Sequence, residues 1–415
     1  MFTLLFIVFL LTDTLLRFWL SLRQLRHIRQ HRDQVPGPFA ERISLRSHQR
    51  AADYTSGGTR LAMIERLVEA AVLIGFTLLG GLQFLDLSMG RLIDNDMLRQ
   101  LALVGSVLMI MGVVGLPFTL WRKFVLDERF GFNRLTPGLF VSDVIKTLFV
   151  VLLLGTPLTA IILWLMGNTG HHWVWLAWLT WLGFKLLVIW LFPTFIAPLF
   201  NRFTPLEQPD LRDRIQALAR RCDFPLEGLY VMDGSRRSAH GNAYFTGFGR
   251  NRRIVFFDTL LSRLNPDEVE AVLAHELGHF KHKHIIRRTL SGAVLALIFL
   301  LALHWLAGQM WFYTGLGVIP QFGRPNDGLA LILFFMAMPV FTFWLTPLLA
   351  RQSRRDEFEA DRYAVQQSSG QALQSALVKL YKDNAATLTP DPLHSGFYDS
   401  HPPAMARIRA LTHGS

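Results

Sequence analysis

Cysteine is almost missing: Cys222 stands alone in 415 residues. That excludes an intrachain disulfide framework and any cysteine-rich zinc site, and its neighbours give it no nucleophile's surroundings. Charge is scarce as well. Asp, Glu, Lys and Arg make up 18% of the chain against 51% hydrophobic residues. A soluble chain of this size cannot cover so much apolar surface, so a polytopic membrane protein is expected. Acids are the rarer charge, 31 against 42 Lys and Arg, which leaves a net +11. No nucleic-acid motif accompanies that excess. It is read as basic loops that orient membrane helices and meet the bilayer's anionic headgroups, with no nucleic-acid partner. Internal repeats and low-complexity tracts are lacking too. The apolar start, residues 1–11, has no basic n-region or small-residue cleavage site, and Asp13 and Arg17 interrupt the second half of the run. It therefore reads as a retained first span.

Long hydrophobic runs are plentiful. Stretches 2–20, 67–85, 101–121, 145–166, 173–195, 290–311 and 328–349 are each apolar over the length a transmembrane helix needs, about 20 residues. The loops between them alternate in charge. Residues 21–66 carry nine arginines against four acids, and 122–134 carry four basic residues against two. Residues 201–288 and 351–415 are also basic, whereas 87–99, 167–172 and 313–327 hold two, none and one. The positive-inside rule then puts the N-terminus outside, and the C-terminus with both large polar segments in the cytoplasm. The expected division is a five-span membrane domain (1–200), a zinc-protease segment (201–288), two further spans (289–350) and a C-terminal cytoplasmic segment (351–415). Asp13, Arg17, Lys146 and Lys185 fall inside spans, where they should face one another or a polar chamber among the helices.

Residues 209–284 have the look of a small mixed fold. A helix is expected over 210–222 and short strands over 229–232, 243–246 and 253–257, split by glycines at 234, 241, 247 and 249. Asn265-Pro266-Asp267-Glu268 then caps a helix that carries His275-Glu276-Leu277-Gly278-His279. Positions i and i+4 share a helix face, so His275 and His279 can bind one zinc ion. Glu276 projects beside them as a base for a water that the metal acidifies. Zinc needs a third protein ligand, and the best candidates lie after the last span, in residues 353–361. Glu357 and Asp361 are again i and i+4, suited to a ligand and the group that orients it, and spacing alone leaves Glu359 as an alternative. His282 and His284, among Lys281 and Lys283, are read as a solvated or headgroup-facing surface, and His304 as a packed residue within a span.

These motifs together resemble the type 1 integral-membrane CAAX prenyl proteases, which are gluzincin metalloproteases. The resemblance covers most of the chain. It runs through Asp127-Glu128-Arg129-Phe130-Gly131-Phe132-Asn133, Ile196-Ala197-Pro198-Leu199-Phe200-Asn201 and Gly241-Asn242-Ala243-Tyr244-Phe245. It continues through Val255-Phe256-Phe257-Asp258-Thr259-Leu260-Leu261, the zinc helix, residues 353–361 and His401-Pro402-Pro403. It implies seven helices around a large chamber, one zinc per chain, Glu357 as third ligand with Asp361 behind it, and His401 and Arg407 on the oxyanion or substrate backbone. Asn242, Ala243 and Tyr244 would form an edge strand to which a peptide substrate adds. The implied reaction is hydrolysis that removes the last three residues of prenylated CAAX C-termini. An Arg-rich, compact chain ending without a dilysine signal points to a bacterial member in an inner membrane, or an endoplasmic-reticulum one if eukaryotic. In a bacterial host prenylated substrates can be absent, so a quality-control protease acting on unprenylated membrane proteins is the alternative. The remaining readings are an intramembrane protease of the site-2 type, disfavoured because residues 281–288 separate the motif from the next span, and a non-enzymatic membrane protein with a structural, closed zinc site.

Overall fold

The computed structural model describes residues 1–248 and 251–413; Gly249, Arg250 and the terminal Gly414 and Ser415 lie outside the described residues. Helices Phe2–Gln30, Asp96–Asp127, Pro137–Asn168, Gly170–Phe200, His284–Ala307 and Asp327–Gln367 are each long and apolar enough to cross a membrane. Leu45–Phe76 and Gly81–Leu92 are long and apolar enough only as a pair, bent by 53° at a short break, which makes a broken seventh span or a re-entrant loop. The uninterrupted span expected over 67–85 is therefore corrected. The first helix ends at Thr77, and Gly80, at φ +78°, takes the left-handed conformation that starts the second. Gly317 fits against this corner, where a Cβ would stand 2.5 Å from the Thr77 carbonyl oxygen.

The spans show water-averse surface outward. Leu148, Phe149, Leu152, Trp164, Leu179 and Trp190 are all exposed, as expected where lipid is the solvent. Charges inside the spans find partners. Arg17 Nε donates to Asp13 Oδ1 at 2.7 Å one turn away, and Lys146 Nζ donates to the Leu199 carbonyl at 2.8 Å. Near the Asp13–Arg17 pair, two cavities of about 440 and 260 Å³ open between helices, with Arg17 and Arg66 in both linings.

The polar segment holds a four-stranded sheet built from β1 (Phe203–Pro205), β2 (Leu226–Met232), β3 (Ala243–Phe248) and β4 (Asn251–Phe257). Its order is β1-β2-β4-β3, with β2 and β4 parallel and the outer pairs antiparallel. β1 has no sequence signal, because three residues ending in a proline carry no alternation. Helix Pro209–Arg221 covers the sheet, and helix Pro266–Lys281 comes next, opened by the expected capping box between Asn265 and Glu268. The core uniting them contains Ile215, Phe256, Leu273 and Leu277, and extends to Ala364, Leu373, Ala376 and Ile408 from the C-terminal segment. Phe39 and Ile43, from the loop after the first span, are buried in the same core. A second core, around Phe6, Leu103, Leu303 and Leu333, holds the spans together.

Candidate active site

The motif helix Pro266–Lys281 and the last span's C-terminal extension, Thr346–Gln367, cross at Gly278. A Cβ on Gly278 would lie 2.8 Å from the Ala360 Cα, so only glycine permits this approach. The crossing brings Glu357 against the two motif histidines. Its Oε2 is 3.4 Å from His275 Nε2, and its Oε1 is 3.4 Å from His279 Nε2. The imidazole planes are perpendicular, 4.9 Å between centroids. One ligand atom from each of the three residues falls within a 4.8 Å set. The Glu357 side chain is only 4% exposed, and its Oε2 has no hydrogen-bond partner. A buried carboxylate whose two oxygens each face an imidazole nitrogen, one of them with no hydrogen bond at all, is what a divalent cation would satisfy. The donor set therefore fits zinc.

Behind His275 stands a second layer. His275 Nδ1 lies 2.8 Å from Asp361 Oδ1, and Arg407 Nε donates to Asp361 Oδ2 at 2.8 Å. Burial alone lowers the His275 pKa, but the Asp361 and Glu357 carboxylates outweigh it and push it up to about 9. A metal at Nε2 would displace that proton. Asp361 thus sits where the i, i+4 spacing puts it. Arg407 does not lie on a substrate surface: it is buried, and its guanidinium is spent on Asp361, with Nη1 3.9 Å from Glu357 Oε2. The resemblance implies Arg407 on the oxyanion or substrate backbone; in the fold its Nε and Nη2 donate to Asp361.

His401 is at the mouth, with a side chain 66% exposed and Nε2 3.5 Å from Glu357 Oε1. Its Nδ1 faces Ser400 Oγ at 3.1 Å. Glu276 is half-buried on the motif helix. Ala243 and Tyr244 begin β3, which is an edge of the sheet, and Asn242 precedes it, accepting from the Phe257 amide through its carbonyl. Glu359 points away from the metal set, to His284 at 3.0 Å. The expectation of a solvated His284 is corrected: it is buried, with Nδ1 2.9 Å from His279 Nδ1. The flanking lysines mask it in the sequence. The reason for its burial is Lys283, a turn residue at φ +56° that folds the chain back at the end of the motif helix.

Known proteins agree with this architecture. Residues 24–202 match the family described as CAAX prenyl protease N-terminal, five membrane helices, and residues 205–415 match Peptidase family M48. The chain is 36% identical over 321 residues to a CAAX prenyl protease 1 homolog of Arabidopsis thaliana, covering 77% of this chain and 74% of that one. It is 33% identical over 382 residues to the Homo sapiens homolog, covering 80% and 79%. The crystal structure of S. mikatae Ste24p superposes with a TM-score of 0.91 at 28% identity, across 99% of both chains. The chain belongs to peptidase family M48 and is a multi-pass membrane zinc metalloendopeptidase resembling the CAAX-processing proteases.

Proposed function

We propose that His275, His279 and Glu357 hold one zinc ion per chain, and that Glu276 is the general base of peptide-bond hydrolysis. The observation carrying this is the meeting of two imidazole Nε2 atoms with the two oxygens of the buried Glu357 carboxylate, one of them without a hydrogen bond, from segments some eighty residues apart in sequence. When bound, the metal supplies Lewis acidity that acidifies water and polarises a carbonyl. Glu276 accepts the proton of the attacking water and passes it to the leaving amine. Asp361 fixes His275 with its lone pair toward the metal, and Arg407 holds Asp361 in place. His401 accepts from Ser400 at Nδ1 and donates from Nε2 to the oxyanion. The peptide lies extended beside Asn242, Ala243 and Tyr244, adding to the edge of the sheet.

The relatives' names supply the substrate class: a prenylated CAAX C-terminus, presented from the bilayer. The basic loops support an N-terminus outside and an active site in the cytoplasm, in a bacterial inner membrane or, for a eukaryotic chain, the endoplasmic-reticulum membrane. The proposed division keeps the membrane domain over 1–200 and 289–350, and the catalytic parts over 201–288 and 351–415. The test compares purified wild type with Glu276→Gln, on a farnesylated CAAX peptide and its unprenylated twin. The variant should keep one zinc and lose cleavage by at least about a hundredfold. Preference for the farnesylated peptide supports the CAAX reading, and equal or better cutting of the twin supports a quality-control protease. Cleavage that survives Glu276→Gln would remove Glu276 as the base.

A further inference from the structure

His275 has a carboxylate behind it; His279 has a different arrangement, and its chemistry is self-consistent. His279 Nδ1 meets His284 Nδ1 at 2.9 Å, and His284 Nε2 meets Glu359 Oε2 at 3.0 Å. A carboxylate only accepts, so His284 must donate from Nε2. A neutral imidazole that donates from Nε2 has its lone pair on Nδ1, and that nitrogen must accept. The donor facing it is then His279 Nδ1–H, which leaves the His279 lone pair on Nε2, the atom 3.4 Å from Glu357. With both imidazoles neutral the links permit a single proton arrangement, and the outcome is the tautomer a metal needs.

We infer that His284 and Glu359 form a relay that positions His279 and fixes its tautomer for metal binding. His284 is the first residue of the membrane-crossing helix His284–Ala307, so the relay also ties the start of that span to the metal site. A rival use of the same atoms is a second cation held by His284, Asp356 and Glu359, whose donor atoms also cluster. The charges speak against it. Asp356 is already engaged by Arg287, by Arg288 Nε at 3.2 Å and by Gln352 Nε2 at 3.0 Å, and Arg287 also lies 3.9 Å from Glu359. A cation placed there would face two guanidinium groups.

The inference rests on the metal-site reading above, and metal affinity separates the two. Zinc affinity and stoichiometry would be measured by chelator competition on the full-length protein in detergent, with the visible spectrum of the cobalt-loaded form as a second readout. Wild type should bind one ion. His284→Ala should lose about 10- to 100-fold in affinity, the range seen when such outer partners are removed. His284→Gln offers an amide oxygen to His279 Nδ1–H and should recover part of that loss together with the wild-type cobalt spectrum. Glu359→Gln, which keeps a neutral acceptor, should fall between. Wild-type affinity in His284→Ala overturns the relay, as does a loss in His284→Gln equal to that in His284→Ala. A second ion per chain that vanishes with His284→Ala overturns it in favour of the cation site. Affinity unchanged in Glu357→Gln would instead sink the metal-site reading itself.

Discussion

Arg407 is the residue whose neighbours depend on it most. It is the cation nearest the buried Asp361 carboxylate, which in turn holds His275. Arg407→Ala would remove one of the two groups that face that carboxylate and leave it His275 alone, so the cost should stay below the roughly 3–5 kcal/mol of a fully broken buried pair. The expected outcome is a lower Tm in the zinc-free protein together with weaker zinc binding, measured by thermal unfolding and chelator competition. A variant as stable as wild type would mean that water replaces the guanidinium. Residue spacing makes much of this site legible. His275, His279, Glu357 and Asp361 are all readable as helix faces, because i, i+4 pairs survive any tertiary arrangement. Glu359 stays an open alternative in sequence only because spacing says nothing about which face turns toward the histidines. Arg407 and His284 are not legible: their roles arise from contacts across 46 and 75 residues of sequence, which no local pattern encodes.

Among the elements, the crossing of the motif helix with Thr346–Gln367 decides whether a metal site exists at all. Glycine costs about 1 kcal/mol relative to alanine inside a helix, so Gly278 is retained against local propensity. Its return is contact with Ala360, one turn from Glu357 on the partner helix. In Gly278→Ala the helices must separate, at about 1–3 kcal/mol, and Glu357 recedes from the histidines. Zinc affinity should fall more sharply than stability, as read by chelator competition beside a melting curve; equal zinc affinity would show that the crossing has slack. The spans themselves are plain in sequence, since about twenty apolar residues are a strong signal. The 53° break in the second is not, because Thr77 to Gly80 lies within an apolar run and a left-handed glycine leaves no hydropathy trace.

At the scale of the molecule two large cores stand out among the described residues, one among the spans and one around the sheet, and the metal set lies beside the second. A ligand bound to the folded state alone stabilises it by about 2.7 kcal/mol at a hundredfold excess over Kd. Stripping zinc with a chelator should therefore lower the Tm of the catalytic part while the helical content of the spans persists. Calorimetry and circular dichroism on the same sample would check this. Loss of all helical signal in one transition would mean that the two cores unfold together.

The last span does not stop at the membrane surface. Asp327–Gln367 is 41 residues long, and a straight helix of that length reaches about 60 Å, roughly twice the hydrocarbon thickness. Glu357 rides near its C-terminal end, beyond a tight turn at Phe343–Leu345. A span answers a thinner or thicker bilayer by tilting, and a rod tilted at one end moves most at the other. A tilt transmitted through that turn would shift the carboxylate against the two histidines, so zinc affinity in bilayers of short and long acyl chains should differ.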